Sequence, residues 1–103
     1  MVKVVNLTPH AVKIEGYGEI PASGQVARVA EVVVSEKLVE GLKILEKRFG
    51  QVLNLPEPQP GVFYFVSLAV AQIAHRPDVV SGADYVRDEK GNIVGVKSLQ
   101  YFS

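Results

Sequence analysis

Apolar and polar positions along this chain fall into short runs, most of them with the two-residue period of strands. The densest is Val62-Phe63-Tyr64-Phe65-Val66, five apolar residues without a break, the pattern of a strand covered on both faces. The run turns polar at Ser67. Leu68, Ala71 and Ala74, with Val70 and Ile73 beside them, then recur at helical spacing until Arg76-Pro77-Asp78. This predicts a buried strand passing directly into a helix of about two turns, with Ser67 as N-cap and Pro77 as the stop. Between Arg48 and Arg76 the only charged residue is Glu57, so the core is expected in this part of the chain.

Weaker patterns surround that segment. Val2, Val4 and Val5 predict a first strand, closed by the turn at Thr8-Pro9-His10. Val12 and Ile14 alternate with Lys13 and Glu15, as in a half-exposed strand, and Gly16-Tyr17-Gly18 and Ile20–Gly24 read as loops. Val26 to Val34 is extended, with apolar residues and a charge on each face, which suits a strand leaving the core towards an edge. Three prolines between Leu53 and Gly61 keep that stretch out of any central strand. Val79-Val80 reads as a short strand and Ser81-Gly82 as a turn. Tyr85–Arg87 and Ile93–Val96 flank a glycine-containing loop, a hairpin signal. Leu99, Tyr101 and Phe102 finish the chain as a strand or ordered tail.

Ser35 to Gly50 supports two readings. Leu38, Leu42, Leu45 and Phe49 recur as on an amphipathic helix, with Glu36 and Glu40 near its start and Lys43, Lys47 and Arg48 near its end, matching the helix dipole. Gly41 opposes this, since a glycine inside a helix costs about 1 kcal/mol. The rival reading makes Gly41 a turn between two strands. The pattern alone favours helix.

Composition narrows the class. The 103 residues suit one domain spanning 1–103, and valine dominates the 48% hydrophobic content, which favours sheet. Eleven basic residues balance eleven acidic ones, so no positive field recruits nucleic acid. Cysteine is absent, which removes disulfides, thiolate catalysis and cysteine-bound zinc. No secretory signal is expected at Met1–Val5, and the longest apolar run, Val62–Ala74, is short of the roughly 20 residues of a membrane helix. The expectation is a soluble protein of the cytoplasm, the host cell interior.

Candidate chemistry gathers at a few polar residues. A helix starting at Ser67 presents free N–H groups to an anion, but no glycine-rich phosphate loop accompanies it. With the first strand parallel to Val62–Val66, Thr8-Pro9-His10 and Ser67 would emerge at one sheet end, and His10 could serve Ser67 as a base. His75, Arg76 and Asp78 form the densest polar cluster, in which Arg76 could clamp a phosphate or carboxylate. Each residue also has a purely structural reading, as turn, cap or local ion pair. Two histidines without a metal-binding spacing indicate no metal site, and no cofactor is expected. The candidate ligand-binding residues are Thr8, His10, Ser67, His75, Arg76 and Asp78, with no catalytic residue assigned.

Several phrases occur together: Asn6–His10, Ser23–Val29, Gly50–Val52 before Leu55–Pro58, Tyr64–Ser67, Arg76–Val80, and Val86–Gly91 before Ile93–Gly95. As a set they resemble a group of small phage, prophage and archaeal-virus-type proteins of unassigned function. The resemblance spans nearly the whole chain and implies no activity. It does imply an extended piece at Gly41–Phe49, because those relatives often carry proline near the position of Lys43, and this moves the expectation there from helix to strand. This chain departs from that pattern by carrying Lys43, which keeps a second helix at Ser35–Phe49 as the alternative. The fold expected is α+β, a small mixed α/β domain that is sheet-rich with one helix after Ser67. The function expected is a non-catalytic binding module for a partner protein or a small anionic ligand such as a nucleotide. The alternatives are a small hydrolase or phosphodiesterase using His10 with Ser67, Arg76 and Asp78, and a structural self-associating protein, for which net neutrality and abundant valine suit an edge-paired homodimer.

Overall fold

The computed structural model describes residues 2–103. Its central strand is the uninterrupted apolar run, and successive side chains there point to opposite faces. Val62, Tyr64 and Val66 join a cluster with Leu7, Ala27, Val70, Ala71 and Val79. Phe63 and Phe65 join a second cluster with Val4, Ile14, Val80 and Val96. One strand thus supplies two cores on its two sides.

In chain order the strands are β1 (Lys3–Asn6), β2 (Val12–Ile14), β3 (Gly18–Ile20), β4 (Arg28–Val39), β5 (Leu42–Leu53), β6 (Val62–Phe65), β7 (Val79–Arg87) and β8 (Ile93–Gln100), with helix α1 (Leu68–Ala74) between β6 and β7. Six of them form one sheet in the order β1-β6-β7-β8-β2-β3. β1 lies parallel to β6 with Val4 opposite Phe63, and β7 lies parallel to β6 with Tyr64 opposite Val79. The sheet curls until β1 approaches β3, so the second cluster fills a nearly closed barrel. The first cluster lies outside the barrel wall, under α1 and the base of β4 and β5.

The α+β expectation is therefore corrected. Strands take 54% of the chain and helix 7%, and the sheet is barrel-like, so the protein is mostly β. The helix after Ser67 exists as expected, but it is seven residues of packing on a barrel. The expectation found β2 but read β3, which has only three residues, as turn and loop. It also took Ser81-Gly82 as a turn, whereas both lie inside β7, paired with Gln100 and Leu99.

Gly82 is there for clearance. A Cβ at this position would meet Val96 Cγ1 at 2.6 Å, inside contact distance.

β4 and β5 make a separate two-stranded ribbon, each strand twelve residues long. Val39 pairs with Leu42 across a two-residue loop, in which Glu40 has φ 49° and Gly41 φ 85°. Both values suit the tight primed turn that matches strand twist. The strand reading of this segment holds, and Gly41 is its turn. Val29 and Val52 tie the ribbon's base to the outer cluster. From there it projects as an arm, and the radius of gyration reaches 16.4 Å where a compact chain of this length gives about 13 Å.

Gly82→Ala is expected to lower stability by about 1–3 kcal/mol, since the new methyl must displace Val96 in a packed interior. Urea unfolding followed by tyrosine fluorescence checks this, and an unchanged midpoint would contradict the clearance role.

Candidate functional site

Parallel pairing of β1 with β6 carries both strands out at the same end of the barrel. Thr8, His10 and Ser67 line one cavity there, of about 300 Å³, together with Phe65, Ser81 and Tyr85. The condition for this convergence, a first strand parallel to Val62–Val66, is met. Ser67 is the N-cap of α1, extended at φ −66° and ψ 160°, with Oγ accepting from the Val70 N–H at 3.4 Å. Among the described residues no hydrogen bond joins the His10 imidazole to Ser67. Below the mouth, the buried Ser81 hydroxyl has no protein partner.

The geometry of this mouth depends on a residue that sequence reasoning treated only as the end of a strand. Asn6 is 1% exposed. Its Nδ2 donates to the His10 carbonyl at 2.8 Å and the Ile20 carbonyl at 3.2 Å. Its Oδ1 accepts from the Thr8 N–H at 3.0 Å and the Thr8 hydroxyl at 2.6 Å. The Asn6 carbonyl accepts from Ser23 N–H. One amide therefore shapes the Thr8–His10 turn and bridges the seam between β1 and β3. Asparagine followed by Thr-Pro was the available signal, since short amide side chains favour local backbone bonds.

His75, Arg76 and Asp78 lie elsewhere. Ser67 and His75 cap opposite ends of α1, about 12 Å apart at 1.5 Å per residue. His75 closes the helix in the left-handed conformation. Arg76 is engaged: Nε donates to Asp78 Oδ1 at 3.0 Å, Nη2 to Asp78 Oδ2 at 2.6 Å, and Nη1 to the Pro56 carbonyl at 3.2 Å. Tyr64 donates its hydroxyl to the Glu57 carbonyl at 3.0 Å. Together Arg76 and Tyr64 fasten the proline-rich segment to the body. The hydrogen bond from Arg76 holds the Asp78 carboxyl below its usual range, against partial desolvation that pushes it up. The six candidate residues thus divide into a mouth trio and a structural trio, and the hydrolase set is not brought together. Among the described residues no group of three His, Asp or Glu could hold a metal, and no helix is long and apolar enough to cross a membrane.

The arm is the other unusual surface. Leu38 is 73% exposed, Leu42 66% and Phe49 55%, and Val32, Val33, Val39, Ile44 and Leu45 are exposed with them. β5 alternates regularly from Leu42 to Phe49, so Leu42 and Ile44 share one face and Leu45 and Phe49 the other. Neither face is wholly polar. No family model, curated protein or solved structure matches the chain.

Two outcomes test these assignments. Asn6→Ala is expected to cost about 2–3 kcal/mol, since it removes the buried amide that bonds the Ile20 carbonyl and the Thr8 N–H, while the Thr8 hydroxyl keeps its bond to the His10 carbonyl; thermal melts check it. A folded-state pKa below the unfolded value means the Arg76–Asp78 pair stabilises above the ordinary carboxylate range and loses that contribution as pH falls through the depressed value. Asp78→Asn should therefore cost about 1 kcal/mol at pH 7 and less once the pH has fallen below the ordinary carboxylate range, as read by denaturation from neutral to acid pH.

Proposed function

We propose that this protein is a non-catalytic assembly module, a virus-type accessory protein whose arm docks on a protein surface. The observation that carries this reading is the arm itself. A two-stranded ribbon is at best marginally stable in water, and most of this one has no body beneath it. Its valines, leucines and phenylalanine gain the free energy of burial only against a partner. Likeness of the sequence motifs to small phage and archaeal-virus-type proteins agrees with an accessory role.

The anionic-ligand version has less behind it. Among the described residues lining the mouth, Lys13 is the one lysine or arginine, while Arg76 is satisfied by Asp78 and Pro56. The seven-residue helix offers a weak dipole end, and Ser67 already caps it.

Replacing residues 33–47 by Asn-Gly keeps the base pairs Glu31–Phe49 and Val32–Arg48 under a primed turn. This shortened protein is expected to keep the body's cooperative melting transition and to lose most binding of an apolar dye. A body that no longer folds, or dye binding that persists, would show that the arm is not a separable docking element.

A further inference from the structure

We infer that the arm's partner is a second copy of this chain, joined with the β5 edge of one copy along the β4 edge of the next. This rests on the docking role proposed above and adds the occupant. Sheet order leaves both ribbon edges without a ladder partner among the described residues. From Ser35 to Val39 and from Leu42 to Glu46 the ladder runs without a register shift, and no proline interrupts either strand. Such edges are templates for another strand.

Charge selects which edges meet. The outer part of β4 with its turn carries Glu31, Glu36 and Glu40 against Lys37, while the facing part of β5 carries Lys43, Lys47 and Arg48 against Glu46. Inside the hairpin this difference is already used: Lys43 pairs with Glu36 at 3.1 Å and Lys47 with Glu31 at 3.0 Å. A neighbouring copy in the same orientation sets its β5 antiparallel beside β4 and repeats this adjacency across the junction. Each acidic strand then lies between two basic ones. Two-fold pairing of β4 with β4, or β5 with β5, sets like charges together and is disfavoured. The contact is therefore head-to-tail, and such contacts propagate into a closed ring or a helical array rather than stopping at a dimer. Rows of Leu38, Val39, Leu42, Ile44 and Leu45 from successive copies become continuous on the two faces.

The test uses the full-length chain in sedimentation velocity. Two triple variants reverse one edge each: E31K/E36K/E40K and K43E/K47E/R48E. The wild type is expected to form species larger than dimers. Each variant alone should lose at least about tenfold in association strength, and an equimolar mixture of the two should assemble again. A sixfold variant that exchanges the charges of both strands keeps the intrachain pairs in reversed sense and should assemble as the wild type does. If the triple variants do not fold, the sixfold variant reads the outcome by itself. A monomeric wild type at millimolar concentration overturns the inference, as does a dimer that survives single-edge reversal or a sixfold variant that stays monomeric. A monomer whose arm still binds the apolar dye leaves the docking role intact with a different protein as occupant.

Discussion

Burial of one strand on both faces is the constraint from which the other elements follow. β6 has no charged side chain to turn towards water, and its one hydroxyl, on Tyr64, is bonded to the Glu57 carbonyl, so each of its faces needs a cover of different construction. On one side the curled sheet closes around Phe63 and Phe65. On the other, α1 and the root of the arm close over Tyr64 and Val66. The helix is seven residues long, closed by His75 in the left-handed conformation just ahead of Pro77. The same strand fixes the mouth, since β1 and β6 end in register and deliver Asn6 and Phe65 to one level.

Polar groups secure what the apolar pattern leaves loose. β1 and β3 meet without a ladder, and the Asn6 amide joins them instead. Tyr17 adds a bond from its hydroxyl to the Val2 carbonyl at 3.1 Å. At the far end Arg76 and Tyr64 hold down a proline-rich crossing that has few backbone donors of its own. These bonds replace sheet pairing where chain geometry prevents it.

The elements with long or uninterrupted patterns were legible in the sequence. The strand-to-helix junction, the Ser67 cap and the hairpin of β7 with β8 all follow from apolar runs and punctuation, whereas the parallel placement of β1 entered only as a condition. The barrel was not legible, because closure is a property of strand order and curvature, and β3 shows no period. Gly82 misled for a related reason: a glycine needed for clearance inside a strand looks like a glycine needed for a turn. Of the candidate residues, Thr8, His10 and Ser67 converge because β1 runs parallel to β6 and ends level with it, a pairing the sequence does not state. Arg76 and Asp78 do not join them because the helix between carries them to the opposite end. The outer arm was not readable from its pattern, which favours a helix over Ser35–Gly50; the strand reading came from the resemblance. The arm's exposure depends on what does not pack against it, which a sequence does not state.

The root of the arm is a pivot. Val29 and Val52 fasten it at one end of strands that are twelve residues long, or about 40 Å of extended chain. A rotation of about 10° at that root sweeps the Glu40-Gly41 tip through about 7 Å over such a length. Any small displacement in the outer cluster would be magnified at the tip in that proportion.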